Sequence, residues 1–75
     1  MEIKFSRHAQ RRGKLYKIPE VTILKILEGK KITPGNQEII ENVAGFKYPL
    51  KIVVAVEDDI ITVITTYPLK KGRKR

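Results

Sequence analysis

At 75 residues, with 16 Lys/Arg against 8 Asp/Glu and a net charge of +8, the chain reads as one small basic domain, of a size that buries only about 60% of its unfolded surface. It has no cysteine and a single histidine, which excludes disulfides and thiolate metal sites, and the carboxylates show no metal-ligand spacing, so no metal or cofactor is expected. No apolar run approaches the roughly 20 residues of a membrane span, and Met1-Glu2-Ile3-Lys4-Phe5 has no signal core, so a cytoplasmic protein without a membrane partner is expected.

Glu2-Ile3-Lys4-Phe5 alternates polar and apolar side chains as a short edge strand does. Ser6 offers a helix N-cap for Arg7 to Lys14, and Gly13 marks the expected end of that helix. Ile18-Pro19-Glu20 opens a second helix, with proline tolerated in the first turn and Glu20 favourable beside the positive helix end. Val21, Leu24 and Leu27, flanked by Ile23 and Ile26, predict its apolar stripe, and Gly29 closes it as a C′ glycine.

After Gly29 the period changes. Lys30 to Thr33 reads as a short strand, Pro34-Gly35-Asn36 as a turn, and Gln37 to Asn42 as a loosely alternating strand. Val43 to Tyr48 could continue the pairing across a bend at Gly45. Lys51 to Glu57 and Ile60 to Tyr67 are β-branched runs joined by Asp58-Asp59, a hairpin pattern, and Pro68 ends the last strand. The expected fold is therefore α+β: two N-terminal helices on one face of a three- to five-stranded antiparallel sheet, in a single domain over 1–68, with a basic tail over 69–75.

Charge is concentrated at the two ends. Residues 1–17 hold six Lys/Arg against Glu2 alone, 18–68 hold five against seven acids, and 69–75 hold five with no acid. Clustered charge focuses potential as scattered charge does not, which points to a polyanion partner, RNA above all. A solvated surface with a basic tail is the plainer alternative.

Four groups of residues could carry chemistry. In Ser6-Arg7-His8-Ala9-Gln10-Arg11-Arg12, the His8 imidazole lies in the first helical turn, with Arg11 and Arg12 three and four residues on. A phosphate there could meet backbone N–H groups, imidazole and guanidinium together. Metal-free RNA cleavage needs a base, an acid and cations of this kind. The competing reading is a histidine that packs the helix onto the sheet. Thr65-Thr66-Tyr67 places Thr65 and Tyr67 on one strand face, where hydroxyls could bind phosphate and a tyrosine could stack on a base or donate a proton, or simply form a β-favouring strand end. Lys47, between Phe46 and Tyr48, suits contact with single-stranded nucleic acid or a strand with inward aromatics. The tail bases Lys70, Lys71 and Arg73 join Arg7, Arg11, Lys14 and Lys47 as expected RNA contacts, without sequence preference.

The opening Phe5-Ser6-Arg7-His8-Ala9-Gln10-Arg11-Arg12 resembles the start of the bacterial and archaeal family called domain of unknown function 4258, with its Ser-x-His-Ala-x-x-Arg beginning. The resemblance continues through Val21 to Gly29 and the Val-rich hairpin Ile52 to Val56 and Ile60 to Tyr67, which closes in Thr-x-Tyr. Where many members carry a second arginine four residues after the first, this chain has Tyr16, with Lys14 and Lys17 beside it. The family is similar to the RelE-like and barnase-like ribonuclease toxins. That similarity implies metal-independent RNA cleavage with His8, Arg12, Thr65 and Tyr67 in the site, and an acidic antitoxin as a further partner. A non-catalytic RNA-binding module and a small interaction protein are the alternatives.

Overall fold

A computed structural model describes residues 2–69. Its order is β1 (Glu2–Phe5), α1 (Arg7–Leu15), α2 (Glu20–Glu28), β2 (Gly35–Glu41), β3 (Leu50–Glu57) and β4 (Ile60–Pro68). The fold is α+β, with two helices and a four-stranded sheet in the order β1-β4-β3-β2. The sheet is mixed. β2, β3 and β4 are antiparallel neighbours, but β1 runs parallel to β4, pairing Ile3 with Ile61 and Phe5 with Val63. The purely antiparallel sheet is thereby corrected, and both helices follow the first strand. A parallel neighbour needs a long crossover, and everything from α1 to β3 supplies it.

The core collects one face of the sheet. Leu50, Ile52, Val54 and Val56 alternate inward along β3, and Ile61 and Val63 join them from β4. Ala9 from α1, Ile23 and Leu27 from α2, Ile18 between the helices and Ile39 of β2 complete a single apolar cluster. Burying such a side chain stabilises by roughly 1.5–3 kcal/mol each before ordering costs are counted.

Several local expectations are revised. α1 runs through Gly13 to Leu15, because the Gly13 carbonyl accepts from Ile18 N–H at 2.8 Å. A Cβ there would sit 3.2 Å from the Ile18 carbonyl, so glycine permits the approach instead of ending the helix. The left-handed residue that turns the chain is Lys17, with φ +57°. In α2 the buried pair is Ile23 and Leu27, four residues apart, while Val21 is 57% exposed, so the inward stripe is rotated from the one expected. Gly29 does end α2, but at φ −88°, not in the left-handed region of a C′ glycine. Lys30 to Thr33 forms no strand, and β2 begins inside the expected turn at Gly35, whose φ is +102°. Val43 to Tyr48 is a connection turning at Ala44-Gly45, with no strand.

The β3–β4 hairpin forms as expected, with Asp58 left-handed at φ +56° in its two-residue turn. Its ladder is irregular at one point. Val53 pairs with Thr65 and Val54 with Val63, leaving Ile64 as the extra residue of a β-bulge. Beyond the bulge Thr66 points into the core and Thr65 and Tyr67 to the opposite face.

Candidate functional site

α1 begins where it does because Ser6 is fixed twice. Its N–H donates to the Val63 carbonyl at 3.0 Å, extending the β1–β4 ladder by one rung. Its Oγ accepts from Ala9 N–H at 3.0 Å, capping the helix, and donates to the Ile64 carbonyl at 2.7 Å. The start of α1 is thus tied to the bulge of β4, next to Thr65. The two segments expected to carry chemistry, 58 residues apart in the chain, meet at this bond.

His8 lies exposed in the first turn of α1. It lines one open depression of about 510 Å³ with Arg11, Arg12, Lys14 and Leu15, the residues that recur at three- and four-residue steps on that stripe. Arg12 is half-buried and donates to the Tyr16 hydroxyl at 3.3 Å, one turn on, so its guanidinium is oriented along the helix. Tyr16 is thus the partner of that guanidinium. Arg7, Arg11 and Lys14 are exposed, and α1 has no acid in its first turn. Among the described residues the ion pairs are Lys30–Glu41 at 2.6 Å and Lys51–Glu38 at 3.1 Å, and neither draws on a base of α1. Among the described residues the positive charge of the helix is met by no ion pair.

Tyr67 belongs to a different group. On the sheet face opposite the core, its ring lies 5.9 Å from Lys51 Nζ, and Lys51 bonds Glu38, so three strands are joined by one cross-strand cluster. The Lys51 ammonium is held above its ordinary pKa, first by the hydrogen bond to Glu38 and then by Tyr67, against a lowering by desolvation. Thr65 shares that face and is half-buried. Lys47 stands in the β2–β3 connection with Nζ 5.7 Å from the Tyr48 ring and lines neither the His8 depression nor the β4 bulge. Lys70, Lys71 and Arg73 lie outside the described residues. Of the expected site, then, His8, Arg11, Arg12 and Lys14 line one depression, Thr65 adjoins the tied helix start, and the Tyr67 ring stands beside Lys51.

Two features escaped sequence reasoning. The Lys51–Glu38–Tyr67 cluster depends on strand register, and Thr66 is 1% exposed with a buried hydroxyl that has no hydrogen-bond partner. Among the described residues no three His, Cys, Asp or Glu side chains gather as metal ligands, and no helix is long and apolar enough to cross a membrane. No family model matches the chain, and neither a curated protein nor a solved structure does.

Proposed function

We propose that the chain binds RNA through the exposed stripe of α1 and cleaves it without a metal, in the manner of the RelE-like toxins. The observation that carries this reading is the depression in which His8 stands beside Arg11, Arg12 and Lys14, none of them neutralised by a carboxylate among the described residues. In such a site the imidazole takes the proton of a ribose 2′-hydroxyl as that oxygen attacks the adjoining phosphorus. The bond to the 5′-oxygen breaks, that oxygen takes a proton from solvent, and a cyclic phosphate remains. Arg11 and Lys14 face the charge that builds on the phosphate, while Arg12 is held in place by Tyr16. Thr65, beside the tied helix start, positions the strand. An acidic antitoxin covering this face, in the cytoplasm, fits the same charge pattern, and the resemblance to domain of unknown function 4258 points the same way.

A non-catalytic RNA-binding module is the second reading. It is favoured by the commitment of Tyr67 to Lys51 and by the absence, among the described residues, of any side chain that hydrogen-bonds the His8 imidazole. A general base is ordinarily oriented by such a partner. Incubating the chain with total RNA in EDTA, beside His8→Ala at matched concentration, decides between them. Cleavage by the first protein and not the second supports the ribonuclease. Salt-sensitive binding by both without cleavage leaves the binding module.

A further inference from the structure

α1 carries a second stripe at helical spacing, Gln10, Gly13 and Lys14, which Lys17 continues in the turn toward the start of α2. With Ile18, Pro19 and Glu20 it lines a groove of about 630 Å³, within the roughly 300–1,000 Å³ of small-ligand sites. Lys14 lines both this groove and the His8 depression, so the two adjoin along one helix.

Their chemistry differs. The His8 depression holds Arg11, Arg12 and Lys14 with no acid, a surface for phosphate. The groove is lined by one acid, Glu20, beside Lys14 and Lys17, and it adds the exposed ring of Pro19. Gly13 contributes no side chain to its floor, and a Cβ there would crowd the Ile18 carbonyl at 3.2 Å. An open groove that sets an exposed proline ring and a polar amide beside two lysines suits a flat heteroaromatic ring attached to one phosphate better than a run of phosphates.

We infer that the α1–α2 groove is a nucleotide subsite, which takes the base next to the phosphate held at His8, with the base against Pro19 and its phosphate on Lys14 and Lys17. This deepens the RNA reading and rests on it. Glu20 and Gln10 face the edge of the base, a carboxylate and an amide able to accept from and donate to it.

The test compares a short single-stranded RNA with an abasic strand of the same number of phosphates, by fluorescence titration with the full chain and with Pro19→Ser. Pro19 is exposed and stands at the N-cap of α2 without a side-chain cap bond. Serine there keeps the charge, supplies a cap and removes the ring, so the variant folds. The base-bearing strand is expected to bind the native chain about ten-fold more tightly than the abasic one, about 1.4 kcal/mol. In Pro19→Ser that preference falls to about two-fold, with abasic binding unchanged. Equal binding of the two strands by the native chain overturns the subsite and leaves the RNA reading standing, as does a preference that survives Pro19→Ser. Binding of neither strand overturns both.

Discussion

The Ser6 hydroxyl and the Ile64 carbonyl, 2.7 Å apart, fasten the first turn of α1 to the bulge of the last strand. The same oxygen caps Ala9, so one side chain fixes where the helix starts and what it starts against. Ser6→Ala removes both bonds and is expected to cost about 2 kcal/mol, a partly buried cap and an exposed hydrogen bond together. In a chain this size that lowers Tm by roughly 10 °C. Ser6→Asp separates the two roles, since it can cap but cannot donate to a carbonyl. Its stability, measured in a urea titration, is expected to lie between those of the native chain and Ser6→Ala.

Thr66 buries a hydroxyl with no partner where Ile52 is its cross-strand neighbour. Replacing it with valine removes an unsatisfied polar group and keeps the β-branched shape, so Thr66→Val is expected to stabilise by about 1 kcal/mol. Thermal unfolding checks this. A loss of stability instead would show that the hydroxyl does find a partner in solution.

Lys51 titrates above its ordinary 10.5 in the folded chain, chiefly through Glu38. A cation whose folded pKa is raised adds stability that is complete below its unfolded pKa and disappears as pH climbs through the folded one. The contribution of the Lys51 ammonium is therefore constant across neutral pH and lost on the alkaline side, above about 10.5. Glu38→Gln, which removes the main cause of the raised pKa, is expected to flatten the fall of Tm on that alkaline side, measured by thermal unfolding across a pH series.

If α1 binds RNA phosphates, removing the cation that neutralises one of them reduces the salt slope of log K by about 0.7 for a single strand. Arg11→Ala is expected to weaken RNA binding and to shallow that slope by about this amount. Lys30→Ala, whose ammonium is already paired with Glu41, is expected to leave the slope as it is. Anisotropy titrations at salt concentrations from about 50 to 200 mM distinguish the two.

Elements whose signals are local were legible in the sequence. Ser6 as a cap, the β-branched hairpin around Asp58-Asp59 and the grouping of His8, Arg11 and Arg12 all depend on residues within a few positions of each other. The parallel pairing of β1 with β4 was not legible, since an alternating edge strand reads the same in either direction. Gly13 misled because a glycine that admits a close carbonyl looks, in sequence, like one that ends a helix. Val21 misled because α2 is apolar on several sides, and only its packing partner decides which side turns inward. The neighbours of Tyr67 were not legible either, since only register across β3 sets its ring beside Lys51, which in turn bonds Glu38.

The parallel pairing of β1 with β4 has a consequence for the timing of synthesis. On the ribosome β1 and α1 emerge before β4, so β1 lacks this neighbour and Ser6 the Ile64 carbonyl until β4 has cleared the exit tunnel. Until then the nascent chain carries the basic helix α1 without the anchor that sets its geometry. Whatever α1 does to a polyanion, it acquires the arrangement to do it only as the final strand docks.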